Sequence, residues 1–275
     1  MDNADSRTVE GFGDEWSRFD QSGLTNLDHD EMFDSYFSIF PWDKLPKNSV
    51  GLDLGCGSGR WALKVAPKVK QLHCIDASKE ALDIAKNNLS KMSNCQFHLV
   101  SVDNIPLPDE SIDFAYSLGV LHHIPDTVGG IKACVAKLKR GAPCLLYLYY
   151  AFDNKPAWYR LIWKLSETGR FFISRMPFSL RYMTSQVIAL LVYWPFARFS
   201  RFLDKLGFCV DSFPLSYYRD RSFYVMRTDS LDRFGTRLEK RFSKNEMLSM
   251  MEHAGLENIL FSNSKPNWCA VGYKK

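Results

Sequence analysis

The order of apolar and polar residues changes character at Ser49. From there, short apolar runs alternate with amphipathic stretches. Val50–Leu54, Gln71–Asp76, Phe97–Val100, Ile112–Ser117 and Pro143–Tyr150 read as strands. Between them, Gly59–Val65 begins a helix. Lys79–Leu89 carries Ala81, Leu82, Ala85 and Leu89 on one face behind a Ser78 cap, and Thr127–Leu138 is stopped by Gly141. The nearly continuous apolar content of residues 143–150 suits a central parallel strand covered on both faces. After a long interruption the alternation resumes. Lys244–Ala254 is a helix ending at Gly255, and Glu257–Ser262 and Trp268–Tyr273 form a hairpin at one sheet edge. The pattern predicts an α/β fold: a doubly wound sheet of seven strands with an antiparallel closing strand.

Three regions follow. Residues 1–47 combine polar residues with Phe12, Trp16, Phe19, Phe33, Tyr36, Phe37 and Phe40. Short helices there cannot bury those rings alone and read as an N-terminal cap. Residues 48–150 and 241–275 make the core, and 151–240 a helical insertion rich in Arg, Trp, Tyr and Phe.

Composition narrows the setting more than the chemistry. Charged residues are 24% and the net charge is +4, ordinary for a globular protein and no sign of a nucleic-acid binder. The seven cysteines include no C-x-x-C pair, and most lie in apolar runs. They read as reduced, packed thiols, with no disulfide frame and no metal site. The first residues are acidic and lead into no apolar stretch. The apolar run Val187–Phe196 is about half a membrane span and holds Pro195. A cytoplasmic location is expected.

The candidate chemistry starts at Asp53-Leu54-Gly55-Cys56-Gly57-Ser58-Gly59-Arg60. Glycines directly after a buried strand let the backbone turn tightly and approach a ligand, with amides there and at the next helix start facing it. A dinucleotide fingerprint, G-x-G-x-x-G, would need a third glycine where Arg60 stands. The acid Asp53 suits a cationic ligand better than a pyrophosphate. S-adenosylmethionine, with its ammonium and sulfonium, fits. Asp76, at the end of the second strand, stands where an acid takes ribose hydroxyls in such sheets. The bland alternative is a tight turn followed by a helix cap.

On these residues the chain resembles the class I S-adenosylmethionine-dependent methyltransferases, notably the group with quinone-biosynthesis C-methyltransferases. The resemblance implies a Rossmann-like fold and S-adenosylmethionine as cofactor. It places the methionine portion on the loop with Gly55, Cys56, Gly57 and Gly59, the ribose on Asp76 and the adenine against Ala77. The family's D-A-x-x-L-P-F segment is here Ser101-Val102-Asp103-Asn104-Ile105-Pro106-Leu107. Val102 keeps the adenine contact, Ser101 replaces the acid, and Asp103 is its substitute. Leu118 and Gly119, after the fourth strand, would pass the sulfonium.

His122-His123 is the one histidine pair. A neutral imidazole is a natural general base, though packing or a bond to backbone is the plainer role. The sequence has no N-P-P-[YF] after the fourth strand and no Pro-Cys nucleophile, so amino-methylation of bases and cytosine C5 chemistry are not expected. Acceptor contacts are sought in Trp16, Tyr149, Tyr217, Arg219, Arg233 and Arg237. Ion pairs with Asp220, Asp229 and Glu239 are the competing role for the arginines. Residues 155–241 hold sixteen Lys/Arg against seven Asp/Glu. That insertion reads as an acceptor lid, as a patch for anionic lipid or a lipid-linked acceptor, or as a solvated helical layer. The expected function is methyl transfer to a small-molecule or glycan/lipid-precursor acceptor. The alternative is a non-catalytic protein that binds S-adenosylmethionine.

Overall fold

The computed structural model describes residues 3–210 and 212–275, so the first two residues of the cap lie outside it. The chain forms two compact units. One comprises the residues up to Asp20, Asp30–Ala151 and Leu238–Lys275; the other comprises Gln21–His29 and Phe152–Arg237.

The first unit is built on a seven-stranded sheet. Its strands are β1 (Val50–Leu54), β2 (Gln71–Asp76), β3 (Cys95–Leu99), β4 (Phe114–Leu118), β5 (Pro143–Tyr147), β6 (Leu256–Phe261) and β7 (Cys269–Lys274). Their order is β3-β2-β1-β4-β5-β7-β6. The first five are parallel, and β7 enters antiparallel between β5 and β6. The predicted α/β class, strand count and closing hairpin are what the structure has. Because β1 leads to β2 on one side and β3 crosses back to β4 on the other, the topology reverses between β1 and β4. That is where such sheets open a crevice for ligands.

The helices of this unit are α1 (Ser6–Arg18), α2 (Asn26–Phe37, from residue 30), α3 (Ala62–Val65), α4 (Lys79–Asn88), α5 (Thr127–Lys137) and α10 (Lys244–His253). The Ser78 hydroxyl accepts the Ala81 amide as predicted, and a reciprocal Ser243–Glu246 capping box starts α10. Rings of the N-terminal region pack on the sheet: Phe37 lies 5.3 Å from Tyr116 and Phe40 5.7 Å from Phe114, between ring centroids. The rings that no short helix could bury alone are thus covered by strand residues.

Two expected elements are shorter. The helix expected from Gly59 is the single turn α3, followed by a 3-10 turn at Ala66–Lys68, where Pro67 supplies no amide. The strand expected to reach Tyr150 ends at Tyr147, where pairing with β7 ends at Cys269. Beyond it, Tyr150 makes only an isolated bridge with Phe242.

The second unit is helical: α6 (Ala157–Ile173), α7 (Phe178–Ile188), α8 (Trp194–Lys205) and α9 (Phe223–Gly235). A π turn, Ala189–Tyr193, joins α7 to α8 without a break. Pro195 lacks an amide hydrogen, and its ring conflicts with the carbonyl of residue 191, so the widened turn falls where the conflict lies.

On the edge of the sheet, His73 Nδ1 and His98 Nε2 are 3.0 Å apart, a hydrogen bond that needs an unprotonated nitrogen on one of the two rings. Burial lowers both imidazole pKa values below the ordinary 6.5, and His98 lowers that of His73 further. A folded state that binds protons less readily than the unfolded chain keeps full stability above pH 6.5 and loses it as pH falls below. Denaturant titrations from pH 7 to pH 5 should lose up to about 1 kcal/mol on this account, and His98→Gln should flatten the slope.

Candidate active site

The glycine loop leaves β1 with positive φ at Gly55, Gly57 and Gly59 (+82°, +52° and +76°), values that L side chains rarely adopt. Its amides turn back into the protein. Those of Gly55 and Cys56 both donate to Ile75 O (2.8 and 2.9 Å), and that of Gly59 donates to Cys56 O (2.8 Å). The Gly57 amide donates to Asp76 Oδ2 at 2.8 Å. The expectation that these amides face a ligand is therefore corrected: four have acceptors within the protein. With α3 only one turn long, the loop offers no helix N-terminus for a pyrophosphate either.

Asp76 is the fixed point of the site. Its other oxygen accepts the Ser78 amide at 2.9 Å. Burial raises its pKa, and the amides of Ser78, Gly57 and Ala77 oppose the rise. A carboxylate accepts about four hydrogen bonds, so capacity remains for a hydroxyl.

Above the loop lies α1. An added Cβ at Gly57 would stand 3.0 Å from Trp16 Nε1, so the indole rests on that glycine. The Arg60 guanidinium lies 5.8 Å from the Trp16 ring and 4.4 Å from that of Trp61. Asn88 Nδ2 donates to Asp20 O and Ser58 O, tying the end of the cap segment to the loop. At the end of β4, Gly119 has φ +82°, and a Cβ there would meet nothing within 4 Å, whereas Leu118 is buried.

Two acids predicted near the ligand sit differently. Asp53 is only 1% exposed and accepts a hydrogen bond from Tyr116 Oη at 2.9 Å. Burial pushes its carboxyl up to about 8; the Tyr116 bond works against that and the Asp76 charge adds to it. Asp103 is exposed and accepts from Ser101 Oγ (2.6 Å) and the Asn3 amide (3.1 Å). Val102 is buried beside them, and Ala77 lies half-buried next to Asp76. Cys56 shares a hydrogen bond with Cys74 that favours the thiolate, but burial and the Asp76 and Asp53 carboxylates outweigh it and push the thiol up to about 11. It is no nucleophile at neutral pH.

The histidine pair occupies a 3-10 turn, Leu121–His123. His123 Nδ1 lies 2.7 Å from Leu238 O, which makes that nitrogen the protonated one. His122 is fully buried, stacks on Tyr149 at 3.8 Å, and neither of its ring nitrogens has a hydrogen-bond partner. Burial, then the neighbouring His123 and Arg241, holds its pKa well below the ordinary 6.5, so the imidazole is neutral. The segment after residue 238 closes this corner, a role the sequence reading missed. Lys240 donates its amide to His122 O, and the Arg241 guanidinium lies 5.0 Å from the Tyr149 ring and pairs with Glu239 at 2.8 Å. Leu238-Glu239-Lys240-Arg241-Phe242, three charged residues between two apolar ones, has no alternation that could have signalled this role.

The remaining acceptor candidates belong to the second unit and have partners inside it. Arg219 pairs with Asp204 and Asp220, Arg233 with Glu167, and Arg237 Nε donates to Ser174 O. Of the acids named as competing partners, Asp220 pairs with Arg219, and Glu239 pairs with Arg241. Tyr217 lies 5.1 Å from Tyr218 and under the Arg221 guanidinium.

Against known proteins, the profile of the methyltransferase-domain family matches residues 52–146. The chain is 29% identical over 105 residues to the "uncharacterized methyltransferase YcgJ" of Bacillus subtilis, covering 38% of this chain and 42% of that protein. It is 29% identical over 133 residues to the ubiquinone/menaquinone biosynthesis C-methyltransferase of Rickettsia massiliae, covering 40% and 54%. The chain thus spans about half or less of the curated relatives it matches. Among solved structures, the complex of the Haloferax volcanii Trm112 methyltransferase activator with a putative methyltransferase contains a chain that matches with TM-score 0.52 at 13% identity. That match spans 95% of this chain and 96% of the other, a likeness of fold alone. Residues 52–146 of the core unit thus match the methyltransferase-domain family, and the relatives named here are methyltransferases. The cofactor this family implies is S-adenosylmethionine, and a loop with inward amides, a glycine against Trp16 and an acid at the end of β2 fits it better than a dinucleotide.

Removing the buried carboxylate tests the electrostatics directly. A folded-state pKa raised above the unfolded value means stability is full below the unfolded pKa and is lost as pH rises toward about 8. Asp53→Asn should therefore stabilise the protein at pH 7 to 8, by about 1–3 kcal/mol in denaturant titrations, and change little at acid pH.

Proposed function

We propose that the protein transfers the methyl group of S-adenosylmethionine to a small-molecule or glycan/lipid-precursor acceptor, in the reducing cytoplasm that its free thiols suit. The observation that carries this reading is the Asp76–Gly57–Trp16 arrangement: a carboxylate holding the glycine loop, with an indole resting on it. When bound, the cofactor supplies a methyl group on a positively charged sulfur, open to in-line displacement. Asp76 takes the ribose hydroxyls. Gly55, Cys56, Gly57 and Gly59 form the floor for the methionine portion, and Asp53 compensates its charge from beneath. Ala77 and Val102 line the adenine, with Ser101 and Asp103 at its amine and Leu118 beside the sulfur. Trp16 and the rest of α1 exclude water.

His122 is the residue we assign to the acceptor's proton. Its neutral imidazole offers a base at physiological pH, and the unmatched ring nitrogens support the role. His123, bonded to Leu238 O, orients the pair, and Tyr149 holds the ring by stacking. Positioning of this kind supplies much of the acceleration in methyl transfer. Tyr217, Arg219, Arg233 and Arg237 stabilise the helical unit through the contacts described above.

Calorimetry with S-adenosylmethionine, S-adenosylhomocysteine and NAD tests the core of the proposal. Micromolar binding of the two sulfur nucleosides and none of NAD is expected, with Asp76→Ala weaker by about 10- to 100-fold. Binding of NAD alone overturns it. Binding without any methylated product, followed by mass spectrometry across soluble and lipid-linked acceptors, points to the non-catalytic alternative. With an acceptor in hand, His122→Gln should lower kcat about 100-fold and leave nucleoside affinity unchanged. The wild-type rate should stay level as pH falls through 6.5, because the folded pKa lies below it.

A further inference from the structure

The helical unit carries its apolar surface on the outside. Among the described residues, twenty-two large apolar side chains stand exposed, and nineteen of them fall between Trp158 and Phe208. This far exceeds the scatter of single apolar residues found on an ordinary water-facing surface.

The helical run from α7 through the π turn to α8 is inverted relative to a helix of a water-soluble core. Its inward stripe recurs every four residues as Arg181, Ser185, Ala189, Tyr193 and Ala197. Ser185, Ala189 and Ala197 are 0% exposed. That stripe meets α9 through polar bonds: Ser230 Oγ donates to Ser185 O, and Arg227 donates to Gln186 Oε1 and Tyr182 Oη. The opposite stripe is Leu180, Met183, Val187, Leu191 and Trp194, with Met183 66% and Leu191 65% exposed. Small and polar residues between helices, with large apolar ones outside, is the arrangement that lipid favours and water does not. α6 repeats the exposure with Trp158, Leu161, Ile162 and Leu165 at helical spacing.

The charges identify what covers this surface. Residues 157–206 contain eight Lys/Arg and two Asp/Glu. Between Tyr182 and Ala197 there is no charge at all. Exposed cations stand toward the ends instead, with Arg160 and Lys164 early in α6 and Arg201 and Lys205 late in α8. A second copy of the chain would set cationic flanks against cationic flanks. An anionic bilayer takes the apolar faces into its interface while long basic side chains reach the headgroups. No helix of the described residues is long and apolar enough to cross a membrane, so the contact is with the surface. We infer that the outward faces of α6, α7 and α8 dock the protein onto the surface of an anionic phospholipid bilayer.

The test is sedimentation of the full chain with vesicles of phosphatidylcholine, with and without phosphatidylglycerol. Wild-type protein should pellet with the phosphatidylglycerol vesicles, less at high salt. The double variant Val187→Glu/Leu191→Glu should bind them at least about tenfold more weakly. Both positions are exposed, so the variant should fold, and retained S-adenosylhomocysteine binding checks that it has. In the wild type, brominated lipid should quench tryptophan emission, and Trp194→Phe should reduce the quenching. No pelleting with phosphatidylglycerol vesicles overturns the inference. So does a doubled mass in light scattering that the double variant reduces to a monomer, since the face would then join two copies.

Discussion

The site hangs on one carboxylate. Asp76 ends β2, and its two oxygens bind the amides of Gly57 on one side and Ser78 on the other. A strand, a loop and a helix start are thereby fixed to a single side chain. The loop in turn sets the height of α1, because Trp16 rests on the glycine that Asp76 holds. Were that amide turned outward, the loop would lose its register with β2 and the indole its seat. The same economy explains why the loop resembles a phosphate cradle in sequence and is not one in structure: its donors are already engaged.

Around this anchor the protein avoids fixed charge. Asp53, His122 and the Cys56 thiol are all enclosed, and in each the neutral form is the favoured one near pH 7. Keeping Asp53 protonated when nothing is bound costs stability near pH 7, because its pKa in the fold lies well above the ordinary value. It also leaves any incoming cation as the dominant local charge, against which a carboxyl such as Asp53 can release its proton.

Much of this was legible in the order of residues. The α/β alternation, the glycine turn after β1 and the acid closing β2 follow from strand period and turn chemistry, which are local. What escaped reading was set by tertiary contact. The length of β5 depends on where β7 stops pairing, and no local pattern near Tyr150 encodes that. The fates of Arg233 and Arg237 depend on partners as distant in sequence as Glu167 and the Ser174 carbonyl. The corner formed by Lys240 and Arg241 with His122 and Tyr149 joins residues about a hundred positions apart. The inverted run from α7 to α8 was visible only as an apolar stretch, because a period alone does not say which stripe faces in.

The placement of the first helix joins separate parts of the crevice. Asn3 bonds to Asp103 and, from both ends of its amide, to the backbone of Asp126; Phe12 lies 4.9 Å from the His123 ring; Gly13 sits against Ser78 and Glu80. One segment near the N-terminus therefore spans the loops that follow three different strands. The loops after β2, β3 and β4 are therefore coupled through this one segment, and any change in its seating reaches all three at once.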